Sequence, residues 1–224
     1  MHKSKKLNIY IYSLLLVSLT LLSIIFHFKW YTLTSVLLEI SCIMLLANRN
    51  IISIFLKLLC DLLYVIVAYN TKYFGDTIFY LFISTPITIT SFFTWKNHIE
   101  DKLYVKPKEL SNKAKCIIAS ISFVGIVIYS YILNLISKGT NPNPVLDACS
   151  TITSILAYLF MMLRYKEQWS MWLLQYTITV FMYIASFDFL MVFSSIFCIC
   201  SCIFGDQKWK KNTKNETDFH FKKL

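Results

Sequence analysis

Apolar residues in this chain come in long runs. Segments 8–27, 31–47, 51–69, 76–95, 115–136, 145–163, 169–186 and 189–205 are each dominated by uncharged, mostly aliphatic or aromatic residues and are separated by polar stretches. None alternates with period two, which excludes barrel strands, and each approaches the roughly 20 residues that carry a helix across about 30 Å of hydrocarbon. The pattern predicts an all-α integral membrane protein of about eight transmembrane helices.

The one long polar connection, "KNHIEDKLYVKPKELSNKA" at 96–114, divides this series. It separates a basic segment with an extra helix (1–30) and a three-helix group (31–95) from a second three-helix group (137–209) and a basic tail (210–224). The remainder, 96–136, is the loop and a linker helix. Each group ends in a tryptophan followed by lysine, at Trp95 and Trp209. Setting Asn50 against Trp169 aligns Ser53 with Trp172 and Lys57 with Tyr176. A single crossing between the groups starts both on the same side, so the expected architecture is two parallel three-helix repeats joined by a linker helix.

Composition agrees with a bilayer setting. With 57% hydrophobic and 15% charged residues, the 224-residue chain lacks the polar surface to cover a water-soluble fold. Its net charge of +10 is sorted along the chain. If both termini are cytoplasmic, the cytoplasmic segments hold every lysine and arginine except Lys29, Lys72 and Lys138 outside and Lys57 within a helix. That is the positive-inside bias, so the basic charge orients the chain and calls for no nucleic-acid partner. Lys3, Lys5 and Lys6 precede the first run, which is too long for a signal peptide and ends "SIIFHFKW" without a small-residue cleavage site. It reads as a retained first helix.

Enzyme chemistry finds no footing. The cysteines of "CICSC", 198–202, sit two residues apart on a predicted helix and so point to different faces, with no histidine near. His2, His27, His98 and His220 are terminal or in loops, the four glycines make no phosphate cradle, and no metalloprotease or nucleophile-elbow motif occurs. No cofactor, metal or ATP hydrolysis is expected.

Polar and aromatic residues inside the runs are more informative. Trp169, Trp172, Tyr176, Thr179 and Tyr183 form one stripe on a helix, and Asn50, Ser53, Lys57, Asp61 and Tyr64 form another. A charge at the bilayer centre costs at least about 2.5–3.5 kcal/mol, so Lys57 and Asp61 belong in the bundle interior. At i and i+4 they are placed to neutralise each other. Glu39, mid-helix, has no such neighbour and is expected to face the cavity or bond to another helix. Asp147 reads as an acid in the first turn of a helix, and Pro86 as a kink that frees a carbonyl. Tyr176 and Tyr183 lie too deep for an interfacial aromatic belt, so the stripes point to a ligand site of Glu39, Asn50, Ser53, Lys57, Asp61, Trp169, Trp172 and Tyr176.

The stretch "DACSTITSILAYLFMMLRYKEQWSMWLLQYTITVFMYIASFDFLMVFSSIFCICSCIFGDQKW", 147–209, resembles the second half of the PnuC transporters, and "YFGDTIFYLFISTPITITSFFTWKN", 73–97, is similar to the end of their first half. The resemblance covers about residues 31–209. It implies a three-plus-one-plus-three helix arrangement, a homotrimer, and facilitated uptake of nicotinamide riboside or, in relatives, thiamine or riboflavin. The vitamin is then trapped through phosphorylation by a cytosolic kinase. Trp169 and Trp172 match the first two members of the family's W-x-x-W-x-x-x-N ligand motif. Tyr176 replaces its Asn, and Lys57 stands where relatives tend to carry Asn.

Overall fold

The computed structural model describes residues 17–21, 23–101, 104–105 and 107–221. Within them are seven long helices: α1 Trp30–Ala47, α2 Ile52–Asn70, α3 Phe74–Lys96, α4 Asn112–Ser137, α5 Pro144–Met162, α6 Gln168–Ala185 and α7 Phe189–Phe221. Half of the expected first helix, 8–16 and 22, lies outside the described residues; of the rest, 17–21 and 23–25 are helical. Six of the seven are long and apolar enough to cross a membrane. The seventh, α6, has the length at 18 residues but carries Gln168, Ser170, Gln175, Thr177 and Thr179. Two of these, Gln175 and Thr179, line the interior cavity described below. A short hairpin, Ile99–Asp101 with Tyr104–Val105, lies in the 96–114 connection and leaves the all-α architecture intact.

Six helices close into a ring. Each of α1, α2, α3, α5, α6 and α7 packs against its two neighbours in that order, and α7 returns to α1. Two of these contacts join the halves, and in both the third helix of one half meets the first helix of the other (α3 with α5, α7 with α1). The linker α4 stands outside the ring against α5, with only Leu133 and Ser137 buried. Outward faces are apolar, with Phe55, Leu62, Phe82, Phe93, Phe181 and Phe193 all exposed, as a lipid-facing surface requires. The interior carries the buried charges.

The two halves share helix endings that no glycine announces. Arg49, Lys72, Arg164 and Phe187 all have positive φ, each two residues past the end of α1, α2, α5 or α6. Each is the left-handed residue of a Schellman motif. At Arg49, for example, Arg49 N–H donates to Leu46 at 2.8 Å and Asn50 N–H to Leu45 at 3.1 Å, and the pairs at 72–73, 164–165 and 187–188 repeat both bonds. The helix carbonyls are thereby satisfied, which offsets the usual cost of φ > 0 outside glycine. These landmarks fix the repeat offset at 115 residues (164 − 49 and 187 − 72). The expected pairing of Asn50 with Trp169 implied 119, one helical turn more. In the structure Lys57 corresponds to Trp172, not Tyr176.

Pro86 follows an irregular stretch of α3. Lacking an N–H and crowding the carbonyl four residues back, it follows a π-helical segment, Phe79–Ser84, that widens α3 before the regular helix resumes at Thr85. Within this segment the Ser84 and Thr85 hydroxyls both donate to Tyr80 O, at 2.9 and 3.4 Å. Such widened turns tend to lie beside functional sites.

Candidate functional site

Three of the charged residues in the ring interior meet at one level. Lys57 Nζ on α2 lies 2.8 Å from Glu39 Oε2 on α1 and 3.6 Å from Asp61 Oδ1 one turn along its own helix. The i,i+4 pair expected from the sequence exists, but the shorter contact is to Glu39. All three side chains are at most 4% exposed. Their surplus negative charge is met by neutral donors: Tyr176 and Cys60 donate to Glu39, and Tyr158 and Thr88 donate to Asp61. Burying three charges is tolerable only with such complete pairing.

Aromatic rings surround the ammonium. Lys57 Nζ stands 5.0 Å from the centroid of Trp172, 5.2 Å from Tyr158 and 5.7 Å from Tyr64, within cation–π range of each. Trp172 stacks on Tyr176 with centroids 5.9 Å apart and planes at 24°. Tyr64 stacks on Tyr80 at 5.2 Å. A small cavity opens beside them, lined by Glu39, Lys57, Tyr64, Asp76, Tyr80, Trp172, Gln175, Tyr176, Thr179, Tyr183 and Ser195. Its volume is about 10 Å³, on the scale of the roughly 10–15 Å³ that seats a single water. A nucleoside-sized ligand therefore requires the rings to part.

The predicted residues separate into two groups. Glu39, Lys57, Trp172 and Tyr176 line the cavity, with Asp61 directly behind Lys57. Asn50, Ser53 and Trp169 do not line it. Asn50 Oδ1 accepts from Ile52 N–H at 2.9 Å and Ser53 Oγ donates to Asn50 O at 2.7 Å, so both side chains shape the first turn of α2. Their stripe is correct in direction, but it begins at the end of the ring, too shallow to reach the midpoint.

Trp169 sits in a different assembly. The tryptophans that end the two halves, Trp95 and Trp209, pack with centroids 6.1 Å apart, and Trp169 meets Trp209 edge-on at 5.9 Å. All three are at most 1% exposed. Trp95 Nε1 donates to Met161 O at 2.8 Å, tying α3 to α5. Gly205 of α7 lies against the Trp169 ring so closely that a Cβ there would fall 2.5 Å from it. This plug occupies the lysine-rich end of the ring, where the 107–115 segment is also pinned to the α5–α6 turn. Lys108 N–H donates to Arg164 O and Lys166 N–H to Lys108 O, both at 2.8 Å, and Glu167 pairs with Lys115 at 2.9 Å. In the same turn Lys166 lies 2.7 Å from Glu109 and holds that carboxyl below the usual range.

At the opposite end a vestibule of about 490 Å³ opens among residues including Tyr31, Asn70, Lys72, Pro142, Ser186 and Asp188. Tyr73 touches a residue of each space, Ser186 of the vestibule and Tyr183 of the cavity. Its hydroxyl donates to Met182 O at 2.7 Å and accepts from Ser186 Oγ at 3.3 Å, while its ring meets Tyr183 edge-on at 6.2 Å.

Sequence reasoning missed Tyr158, Asp76 and Gln175. Asp76 had a usable signal, a charge inside an apolar run; Gln175 lay one position off the aromatic stripe; Tyr158 had none. Asp147, read as a helix-start acid, does lie in the first turn of α5 but is fully buried. Its carboxylate accepts from the N–H groups of Gly75 and Asp76, at 2.9 and 3.1 Å, and from Asn141 Nδ2 at 2.7 Å. Gly75 is required there, because a Cβ would come within 2.7 Å of Asp147 Oδ1.

The fold is shared with known proteins. A solved structure, "Crystal structure of the Vitamin B3 transporter PnuC", superposes with a TM-score of 0.80 at 21% identity, covering 91% of this chain and 90% of its own. Nicotinamide riboside transporter PnuC of Neisseria mucosa is 23% identical over 217 residues, 91% of this chain and 81% of that protein. Its namesake of Haemophilus influenzae is 23% identical over 189 residues, 83% of this chain and 81% of that protein. The family model described as nicotinamide mononucleotide transporter matches residues 29–211, the whole ring with its linker helix, and the chain belongs to that family of membrane transporters.

Proposed function

We propose that the protein carries nicotinamide riboside, or a closely related vitamin precursor, across the cell membrane by facilitated diffusion. The observation that carries this reading is the buried cavity at the middle of the helix ring, walled by Trp172 and Tyr176 and closed by aromatic residues toward either end. A flat ring stacked between such side chains gains on the order of 1 kcal/mol per stack beyond its burial. Alternating access follows if the Trp169 plug and the Tyr73 latch open in turn, since the ligand shifts the carrier only by its differential affinity for the two states. The substitution of Tyr176 and Lys57 for the amides of relatives favours a second reading in which thiamine or riboflavin is the preferred cargo.

We place both termini in the cytoplasm, on the charge asymmetry of the loops, and read the protein as a homotrimer whose cargo is trapped by a cytosolic kinase. Liposomes containing the purified protein alone should exchange labelled nicotinamide riboside down its gradient and stop at equal concentrations. Uphill accumulation driven by sodium or protons overturns the uniport mechanism, and faster exchange of thiamine or riboflavin selects the second reading. Reporter fusions after residue 105 and at the C-terminus should both report cytoplasm.

A further inference from the structure

The two ends of the cavity differ in how their charge is met. At one end Lys57 answers Glu39 and Asp61. At the other, the Asp76 carboxylate is 4% exposed and accepts only from neutral hydroxyls, Ser150 Oγ at 3.1 Å and Thr151 Oγ1 at 3.3 Å. No ion pair to it occurs among the described residues. The nearest charged neighbour is another acid, Asp147, whose carboxylate accepts from the Asp76 backbone. A carboxylate so placed in a water-poor interior lacks a counter-charge.

A second observation points into the same space. Trp172 Nε1 and Gln175 Oε1 belong to cavity-lining residues, are 2% and 4% exposed by residue, and have no hydrogen-bond partner among the described residues. Gln175 spends its amide N–H on Thr179 at 2.8 Å, which leaves the carbonyl oxygen as a directed acceptor. Buried polar atoms without partners are rare in finished cores and costly. One donor and one acceptor, on residues that line a cavity also lined by an unanswered carboxylate, suit a ligand with three matching features: a positive charge, a hydrogen-bond acceptor and a donor.

Orientation follows from the charges. At the Lys57 end the acids are already paired with an ammonium that occupies the face of Trp172 at 5.0 Å, whereas no cation among the described residues answers Asp76. We propose that Asp76 is the specificity-determining counter-charge of the site, drawing the positively charged aromatic ring of the ligand to the Tyr80–Tyr183 end, with its polar substituents toward Gln175 and Trp172. This rests on the transport of a vitamin precursor proposed above and adds which residue reads the charge of the ring.

The test uses two probes of nearly equal shape: nicotinamide riboside, whose ring is a cation, and its C-nucleoside isostere, whose ring is flat, aromatic and uncharged. Binding of each to purified full-length protein is measured by titration calorimetry. The unaltered protein should prefer the cation tenfold or more. Asp76→Asn, which keeps the hydrogen-bonding shape, should reduce that preference to within threefold, almost entirely through loss of the charged ligand. If Asp76→Asn is lost during purification, Asp76→Ser removes the same charge with a smaller group and carries the same expectation. An unchanged preference in a folded variant overturns the role of Asp76 while leaving the transport reading in place. Failure of the unaltered protein to bind either probe overturns both together.

Discussion

Trp169 and Trp172 are three residues apart on α6, both buried, and both have an indole N–H without a partner among the described residues. Their surroundings have little else in common. Trp172 faces a cavity, stacks on Tyr176 and lies under the Lys57 ammonium, with Glu39 and Asp61 close behind. Trp169 faces no space at all: Trp209 meets it edge-on and the Gly205 backbone presses on its ring. Aromatic residues that share a helical stripe can therefore wall a cavity at one level and pack into a dense aromatic cluster one turn away. What distinguishes them is charge and free volume, supplied entirely by other helices.

The sharpest way to break the binding level is to remove its cation. Lys57→Met leaves Glu39 and Asp61 buried without a positive partner, which should cost about 3–5 kcal/mol of stability. A large fall in the thermal midpoint of the detergent-solubilised protein checks it, and an unchanged midpoint shows that the acids are carried neutral. The same logic applies to Lys57→Asn.

Gly205→Ala should break the plug instead. The new Cβ would lie 2.5 Å from the Trp169 ring, and overpacking of this kind costs about 1–3 kcal/mol. A variant that melts lower and leaks labelled ligand in liposomes would bear this out; wild-type melting would show that the indole yields freely.

Trp172→Ala sharpens the contrast. It should weaken nicotinamide riboside binding tenfold or more, about 1.4 kcal/mol, in equilibrium titrations on protein that elutes as a folded species. Trp169→Phe, which retains a ring in the plug, should change the same affinity less than threefold. Equal losses in the two variants would erase the distinction drawn between them.

The smallest effect is expected at Gly125 on α4, outside both levels. An added Cβ meets only Ile152 Cδ1, at 3.7 Å. Gly125→Ala should leave transport unchanged and raise stability by about 0.4–1 kcal/mol through the reduced freedom of the unfolded chain.

The sequence by itself determined the helices, their number within the family's ring, and the direction in which their polar stripes face. Hydrocarbon length and the cost of a buried charge act on each segment alone, so "LKLLCD" could be read as carrying an inward-facing, mutually neutralising Lys57 and Asp61 without any partner in view. Depth and partnership were decided only by tertiary packing. Glu39 bonds to Lys57 across 18 positions of chain and Tyr158 to Asp61 across 97, and periodicity, which measures a face against its own axis, holds no information about either. The repeat offset was misjudged by one turn for a related reason. Tandem apolar helices look alike at several registers, and the landmarks that fix it, four left-handed caps at Arg49, Lys72, Arg164 and Phe187, carry no glycine to mark them. Closing six helices into a ring sets how deep each stripe lies, and that depth put Trp172 at the cavity and Trp169 in the aromatic cluster.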